Sequence, residues 1–431
     1  MERPVARTLA EWLDHQAGQH PRAIDLGLGR LNEVLARLEW RRPPVSVVTV
    51  AGTNGKGSVV ATCAAILAAA GLRIGTFTSP HLRDYRERIR IGDQLVDEHS
   101  LIGAFERIEA ARGEVGLTFF EYNTLAALLI LEQARLDAWI LEVGMGGRLD
   151  AVNVVDADVA VVVSIGFDHM QFLGQSLESI GREKAGIFRR GKTAILGSRR
   201  MPAVVASTAL RVGAALRRLG TEFDYARAAD DTWAYHGPRW DLASLPPPSL
   251  RGATQYDNAA TAIAAVEALE LRAPVRAAAV AEGLRAVRLV GRFQAIEPKS
   301  PDRPQWILDV AHNPDAARVL AENLRAWPAS GRTLAICGIL TDKDAAGIVA
   351  ALRGAIDAWL FVTTEGDRGT SGQALAARVA PQLAAPSSTY DSIDSACAAA
   401  IDGAGAGDRI VVCGSFHTVG PALDWLEAQG I

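Results

Sequence analysis

The sequence predicts an α/β protein: a doubly wound, mostly parallel sheet with a small antiparallel insertion, followed by a second, smaller α/β domain. Three observations carry that reading. Apolar runs such as Ala138-Trp139-Ile140-Leu141 are continuous rather than alternating, as strands of a parallel sheet covered on both faces must be. A strand, Val45 to Val50, runs through a glycine-rich turn into a helix, Ser58 to Ala70, and then into a second strand, Arg73 to Thr78, which makes a βαβ unit. Beyond residue 297 four more short apolar strands alternate with helical segments.

Taken in chain order, Thr8 to Gln16 and Arg30 to Leu38 read as opening helices, the second stopped by Arg42-Pro43-Pro44. Gly71 closes the helix after the glycine turn. A helix from Glu121 to Gln133 precedes the strand Ala138 to Val143, and Asp158 to Ile165 is a further buried strand. The turn-rich stretch Thr232 to Arg251, with Pro246-Pro247-Pro248, reads as the end of an irregular antiparallel insertion. Helices follow over Asn258 to Leu269 and Val275 to Ala286. The polar, proline-rich run Glu297 to Pro304 places a domain boundary at 296/297, giving domains 1–296 and 297–431. The second is Rossmann-like, with strands at 306–310, 333–336, 359–362 and 409–412.

Composition narrows the function. The 431 residues are 49% hydrophobic and 22% charged with a net charge of -4, and no basic stripe for nucleic acid appears. The longest apolar stretches, such as Ala61 to Ala70, are far short of the ~20 residues that span a membrane. Met1-Glu2-Arg3-Pro4 lacks an apolar signal core, and the four cysteines are scattered without CxxC spacing, so a reduced, cytoplasmic setting is expected. Only five of the 45 basic residues are lysines: Lys56, Lys184, Lys192, Lys299 and Lys343. A chain that writes its cations as Arg keeps Lys where an amine is needed.

The turn Ala51-Gly52-Thr53-Asn54-Gly55-Lys56-Gly57-Ser58 has the physics of a P-loop. Small residues let backbone N–H groups close on phosphate oxygens, the helix N-terminus favours the anion, and Lys56 neutralises the β/γ charge. Ser58 can offer a hydroxyl to Mg²⁺. The strict Walker pattern is broken, because Val50 stands where the first glycine belongs and Gly57 separates Lys56 from Ser58. Glu142, an acid ending an apolar strand, fits the metal-holding role that accompanies such a loop. Ser79, His169 and Lys184 lie at or after strand ends, on the side where open α/β sheets bind ligands.

Gly52-Thr53-Asn54-Gly55-Lys56-Gly57-Ser58 resembles the P-loop variant of the ATP-dependent folate and Mur ligases, and its Lys-Gly-Ser ending points to the folate branch. Ser79-Pro80-His81-Leu82 with Glu87-Arg88-Ile89, the stretch Leu141 to Asp150, and Ser179 to Phe188 resemble folylpolyglutamate synthase signatures. Gln255 to Ala260, Gly291-Arg292-Phe293-Gln294, Leu308 to Pro314, Asp342-Lys343-Asp344 and Gly414 to Val419 match as well. The resemblance implies ATP and two Mg²⁺ ions held by Ser58, Ser79, Glu142 and His169, with Lys184 carbamylated. It also implies that Asn258 meets the adenine, Asp309 the ribose, and Arg292 and His312 the nucleotide, so that the acceptor lies in a cleft between the domains.

Ile24-Asp25-Leu26-Gly27-Leu28, Thr118 to Tyr122 and Leu149-Asp150-Ala151 resemble the bifunctional bacterial type. That likeness makes Leu26, Thr118, Phe120, Asp150 and Ala151 substrate-binding residues. Phe120 would pack on a flat pterin and Asp150 would accept its N–H donors. The implied reaction is ATP-dependent addition of L-glutamate to dihydropteroate and to the tail of reduced folates through an acyl phosphate, with Lys56, His169 and Lys184 as the catalytic groups. The implied enzyme is a monomer that takes small-molecule substrates and neither nucleic acid nor membrane. A tail-extending synthase alone, a Mur-type ligase and a nucleotide-binding regulator without catalysis remain the alternatives.

Overall fold

The computed structural model describes residues 7–297, 300 and 303–431. Met1 to Pro4, and Pro298, Lys299, Pro301 and Asp302 of the expected linker, lie outside the described residues. The chain divides into two compact units. One takes in the chain up to Ile165, His169–Pro248 and Tyr256–Val287; the other takes in Gly166–Asp168, Ser249–Gln255 and Arg288–Ile431.

The first unit holds β1 (Ser46–Ala51), β2 (Ile74–Phe77), β3 (Ile89–Ile91), β4 (Gln94–Leu95), β5 (Ala138–Glu142), β6 (Val159–Val162), β7 (Thr193–Leu196) and β8 (Ala215–Arg218). They form one sheet in the order β4-β3-β2-β5-β1-β6-β7-β8, parallel except for β3 and β4. From β1 the chain goes to one side for β2 and later to the other for β6. The carboxyl end of β1 is therefore a point where the topology reverses and a crevice opens.

Both faces of this sheet are covered. Val48, Val50 and Ile140 face a cluster with the helices Lys56–Ala69 and Thr254–Ala268, while Val47, Trp139 and Leu141 face another with Gly29–Arg37, Glu98–Arg112 and Phe119–Gln133. The alternation along each strand is the period-2 pleat with both sides apolar, each fully buried side chain stabilising the fold by about 1.5–3 kcal/mol.

A separate antiparallel sheet, β9 (Asp224–Arg227), β10 (Trp233–His236) and β11 (Asp241–Leu245), is the expected insertion and begins upstream of Thr232. The fully buried Glu267, on the helix Thr254–Ala268, ties it down. Its carboxylate accepts from the backbone N–H groups of Arg239 at 2.8 Å and Trp240 at 2.6 Å, and pairs with Arg217 at 2.8 Å. A Glu267→Ala variant strands that arginine and two part-buried donors. It is expected to lose about 3–5 kcal/mol in denaturant unfolding.

The second unit carries β12 (Gln294–Ile296), β13 (Gln305–Asp309), β14 (Thr333–Cys337), β15 (Ala358–Val362), β16 (Ser387–Tyr390) and β17 (Arg409–Cys413), in the order β12-β13-β17-β14-β15-β16. All pairs are parallel except β12 with β13. That antiparallel pairing groups residues 288–296 with the second unit, which also takes in two short segments from earlier in the chain. No helix among the described residues is long and apolar enough to cross a membrane.

Candidate active site

In the first unit the glycine turn leaves β1 and enters the helix Lys56–Ala69 through Gly55, whose φ of 86° suits glycine. A Cβ there would stand 2.7 Å from Asn258 Oδ1 and 2.8 Å from Val163 Cγ1, so the turn is closed on both sides by packing. Gly52 is pressed on Val163 and Ser164 in the same way. The loop is braced by hydrogen bonds: Thr53 N–H donates to Ser164 O at 2.8 Å, and Asn54 N–H to Ser164 Oγ at 3.0 Å. Its shape is thus set by the segment after β6, as a preorganised anion cradle requires.

Two amines meet at this turn. Lys56 Nζ curls back to the carbonyls of Gly52 at 3.2 Å and Thr53 at 3.3 Å. Lys184, buried at the end of the helix Leu177–Lys184, donates to Gly52 O at 2.9 Å. Glycine at 147 lets the loop after β5 lie on that helix end, since a Cβ there would come within 2.8 Å of Lys184 O.

Glu142 ends β5 directly opposite Val50 of β1, which sets its carboxylate beside the turn. Glu142 Oε2 accepts from Ser79 N–H at 3.3 Å, joining the loop after β2 to the same place. Ser58 is buried in the first turn of the helix. One carboxylate with two hydroxyls is an oxygen set suited to Mg²⁺, which completes its shell with water and phosphate. Among the described residues no group of three or more His, Cys, Asp or Glu forms a self-sufficient metal cage. His169 starts the short helix Met170–Leu173 with φ 52°, and Leu173 packs within 2.9 Å of a Cβ position on Gly146 in the loop after Glu142.

Of the residues expected to hold the acceptor, Thr118, Asp150 and Ala151 are buried and Leu26 and Phe120 half-buried. Phe120 stacks on Phe77 with centroids 5.9 Å apart and fills the space a side chain on Gly144 would need, leaving its ring half-buried. Thr118 caps the helix Phe119–Gln133, exchanging hydrogen bonds with Glu121. Glu121 in turn accepts from Arg30 at 3.0 Å, and Arg30 holds Asp25 at 2.9 Å, next to the half-buried Leu26. Gly27 N–H donates to Leu149 O, bringing that segment to Asp150 and Ala151.

Asp150 is buried and accepts from the backbone of Met145 at 2.8 Å and Val152 at 3.0 Å. Burial pushes its carboxyl up to about 6, opposed by those donors and by the charges of Lys184 and Lys56. Asp150 therefore shapes the loop after β5.

In the second unit Asp309 ends β13 and accepts from Phe293 N–H at 2.9 Å and Ala311 N–H at 2.8 Å. Burial raises its pKa, against the neighbouring charges of Arg292 and His312. The Arg292 guanidinium lies 5.3 Å from the Phe416 ring centroid, and His312 Nδ1 is 3.0 Å from Val310 O.

Asp168 collects Lys343 Nζ at 2.6 Å, Asn313 Nδ2 at 3.3 Å and His312 Nε2 at 3.4 Å. Sequence reading gave Asp168 no role. Its only signal was adjacency to His169, while the scarcity of lysine had already marked Lys343. Asp344 caps the helix Ala345–Leu352.

Known proteins can now be set beside this geometry. Residues 50–204 match the Mur ligase middle domain and residues 291–416 the Mur ligase glutamate ligase domain. The chain is 45% identical to the dihydrofolate synthase/folylpolyglutamate synthase of Escherichia coli (strain K12), over 99% of this chain and 97% of that one. The chain belongs to the dihydrofolate synthase/folylpolyglutamate synthase family.

Solved structures of that family superpose closely. E. coli FolC in complex with DHPP and ADP aligns with a TM-score of 0.92 at 44% identity, covering 99% of both chains. A bifunctional folylpolyglutamate synthase/dihydrofolate synthase with Mn, AMPPNP and L-glutamate bound aligns at 0.89 with 42% identity over all of both chains. The more distant folylpolyglutamate synthase of Lacticaseibacillus casei is 31% identical over 74% of this chain and 77% of its own. The P-loop class and the mixed α/β architecture expected from the sequence hold for this member of the family.

Proposed function

We propose that this chain is an ATP-dependent ligase that joins L-glutamate to dihydropteroate and to the glutamate tail of reduced folates. The observation that carries the reading is the meeting of Lys56, Lys184, Glu142 and Ser79 at the carboxyl end of β1, against a braced glycine turn. Relatives that bind DHPP, ADP, AMPPNP and L-glutamate support it.

In this reading the acceptor carboxylate oxygen attacks the γ-phosphorus of ATP, and the bond to the bridging oxygen breaks with its electron pair leaving on ADP. The α-amine of glutamate then adds to the acyl phosphate, loses a proton and expels phosphate, leaving an amide. Lys56 and the turn's N–H groups hold the γ-phosphoryl charge as it moves. Asn258, Arg292, Asp309 and His312 seat the nucleoside and phosphates, and Leu26, Thr118, Phe120, Asp150 and Ala151 border the acceptor. Two magnesium ions, held by Ser58, Ser79, Glu142 and His169, would supply charge neutralisation on the phosphates. Carbamylation of Lys184 would turn a buried cation into an oxygen acceptor suited to them. A monomer in a reducing, cytoplasmic setting fits the four free, buried cysteines.

The deciding experiment is ADP release with dihydropteroate, L-glutamate and Mg-ATP; no release with dihydropteroate but release with tetrahydrofolate would restrict the enzyme to tail extension. A Glu142→Ala variant is expected to need at least tenfold more Mg²⁺ for half-maximal rate, about 1.4 kcal/mol of lost metal affinity. An unchanged Mg²⁺ titration would remove Glu142 from the metal.

A further inference from the structure

Arg88 precedes β3 and is only 8% exposed. An arginine offers five N–H donors in a rigid plane, and a buried one is costly unless they are matched. Among the described residues the Nε–H alone is matched, donating to His81 Nδ1 at 2.8 Å. Among the described residues no acceptor meets Nη1 or Nη2, and both atoms keep solvent contact.

The plane is held on its apolar side by two rings, 5.6 Å from the Phe119 centroid and 5.7 Å from that of Tyr85, themselves packed edge to face. Burial holds the guanidinium below its ordinary pKa, opposed by Tyr85 and by the charges of Glu142 and Glu87. Glu87 is already engaged by the backbone N–H groups of Leu82, Arg83 and Asp84. Glu142 takes Ser79 N–H. Support of His81 uses one donor and leaves the outer edge of the fork unused.

We propose that the Nη edge of Arg88 is the seat of the acceptor's carboxylate, the group that receives the phosphoryl. A guanidinium fork matches a carboxylate in geometry and charge. Its location selects the acceptor rather than glutamate: Phe119, which packs on Arg88, is followed by Phe120, which stacks on Phe77, and Glu142, near enough for its charge to act on Arg88, ends β5 beside the phosphate turn. An acceptor lying along Phe120 thus brings its acid group between Arg88 and the phosphate turn. This inference rests on the ligase reading above.

The test is fluorescence titration, without ATP, of dihydropteroate and of the same compound with its carboxylate replaced by hydrogen, using wild type, Arg88→Ala and Arg88→Lys. Wild type is expected to prefer the carboxylate form by about 10–100-fold, the range of a charge-assisted hydrogen bond. Arg88→Ala is expected to bind both compounds equally, at the wild-type affinity for the form lacking the acid, and Arg88→Lys to recover part of the preference. In turnover the KM for dihydropteroate rises while those for ATP and glutamate stay put. Retained preference in a folded Arg88→Ala variant overturns the proposal, as does an equal weakening of both ligands, which is what loss of His81 support alone would give. Wild type that discriminates between the compounds but releases no ADP keeps the seat and removes the ligase reading.

Discussion

Lys56→Ala will leave the protein folded and cut glutamate-dependent ADP release by about 10³-fold or more, the scale on which a cation at a transferring phosphoryl group acts. Lys56 is half-buried, and its amine spans its own turn to two carbonyls at 3.2 and 3.3 Å, at the long end of hydrogen-bond range. Phosphate oxygens, being charged, outbid those carbonyls for the same donors. The variant keeps the hydrogen bonds from Thr53 and Asn54 to Ser164, so the turn retains its shape and the loss falls on the transition state. Thermal unfolding unchanged within a few degrees, together with a collapsed kcat, is the expected pair of results. A kcat near wild type would place the phosphoryl charge elsewhere.

Lys184→Ala is expected to cost about 10²–10³-fold in the same assay, with a measurable loss of stability. Lys184 differs from Lys56 in being buried, and its partner Gly52 O belongs to the turn itself. Removing the amine leaves that carbonyl with the longer hydrogen bond from Lys56 as its remaining side-chain contact, a loss of about 0.5–1.5 kcal/mol. It also removes a charge that offsets the burial of Asp150. The rate loss should persist when stability is restored by saturating nucleotide. Full turnover in such a folded variant would strip Lys184 of any part in the chemistry, carbamylated or not.

Much of this was legible before the structure. Glu142 stands out because an apolar strand seldom ends in an acid without use for it, and in the structure it pairs in register with Val50, just ahead of the turn. The lysine count singled out Lys56, Lys184 and Lys343, and each meets a partner in its own unit. What stayed hidden depends on packing between distant segments.

Glu267 looks like any solvent-facing glutamate on a helix, and only the Arg239–Trp240 turn makes it a buried acceptor. β9, Asp-Tyr-Ala-Arg, carries no apolar period, so the sequence shows only the end of the insertion, over Thr232 to Arg251. The polar run after 297 suggests a boundary there, and composition cannot report that Gln294–Ile296 pairs with the next strand. Arg88 was quoted only as a letter of a motif; its unmatched donors are a property of its surroundings.

The helix Thr254–Ala268 carries Asn258 near one end, wedged on Gly55, and Glu267 near the other, beneath the insertion. They stand nine positions apart on the helix, roughly 13 Å of stiff rod. A change among the β10 and β11 side chains that tilts the rod is therefore felt where nucleotide chemistry leaves no slack. Sequence drift in a seemingly peripheral ornament is thereby policed from the catalytic end.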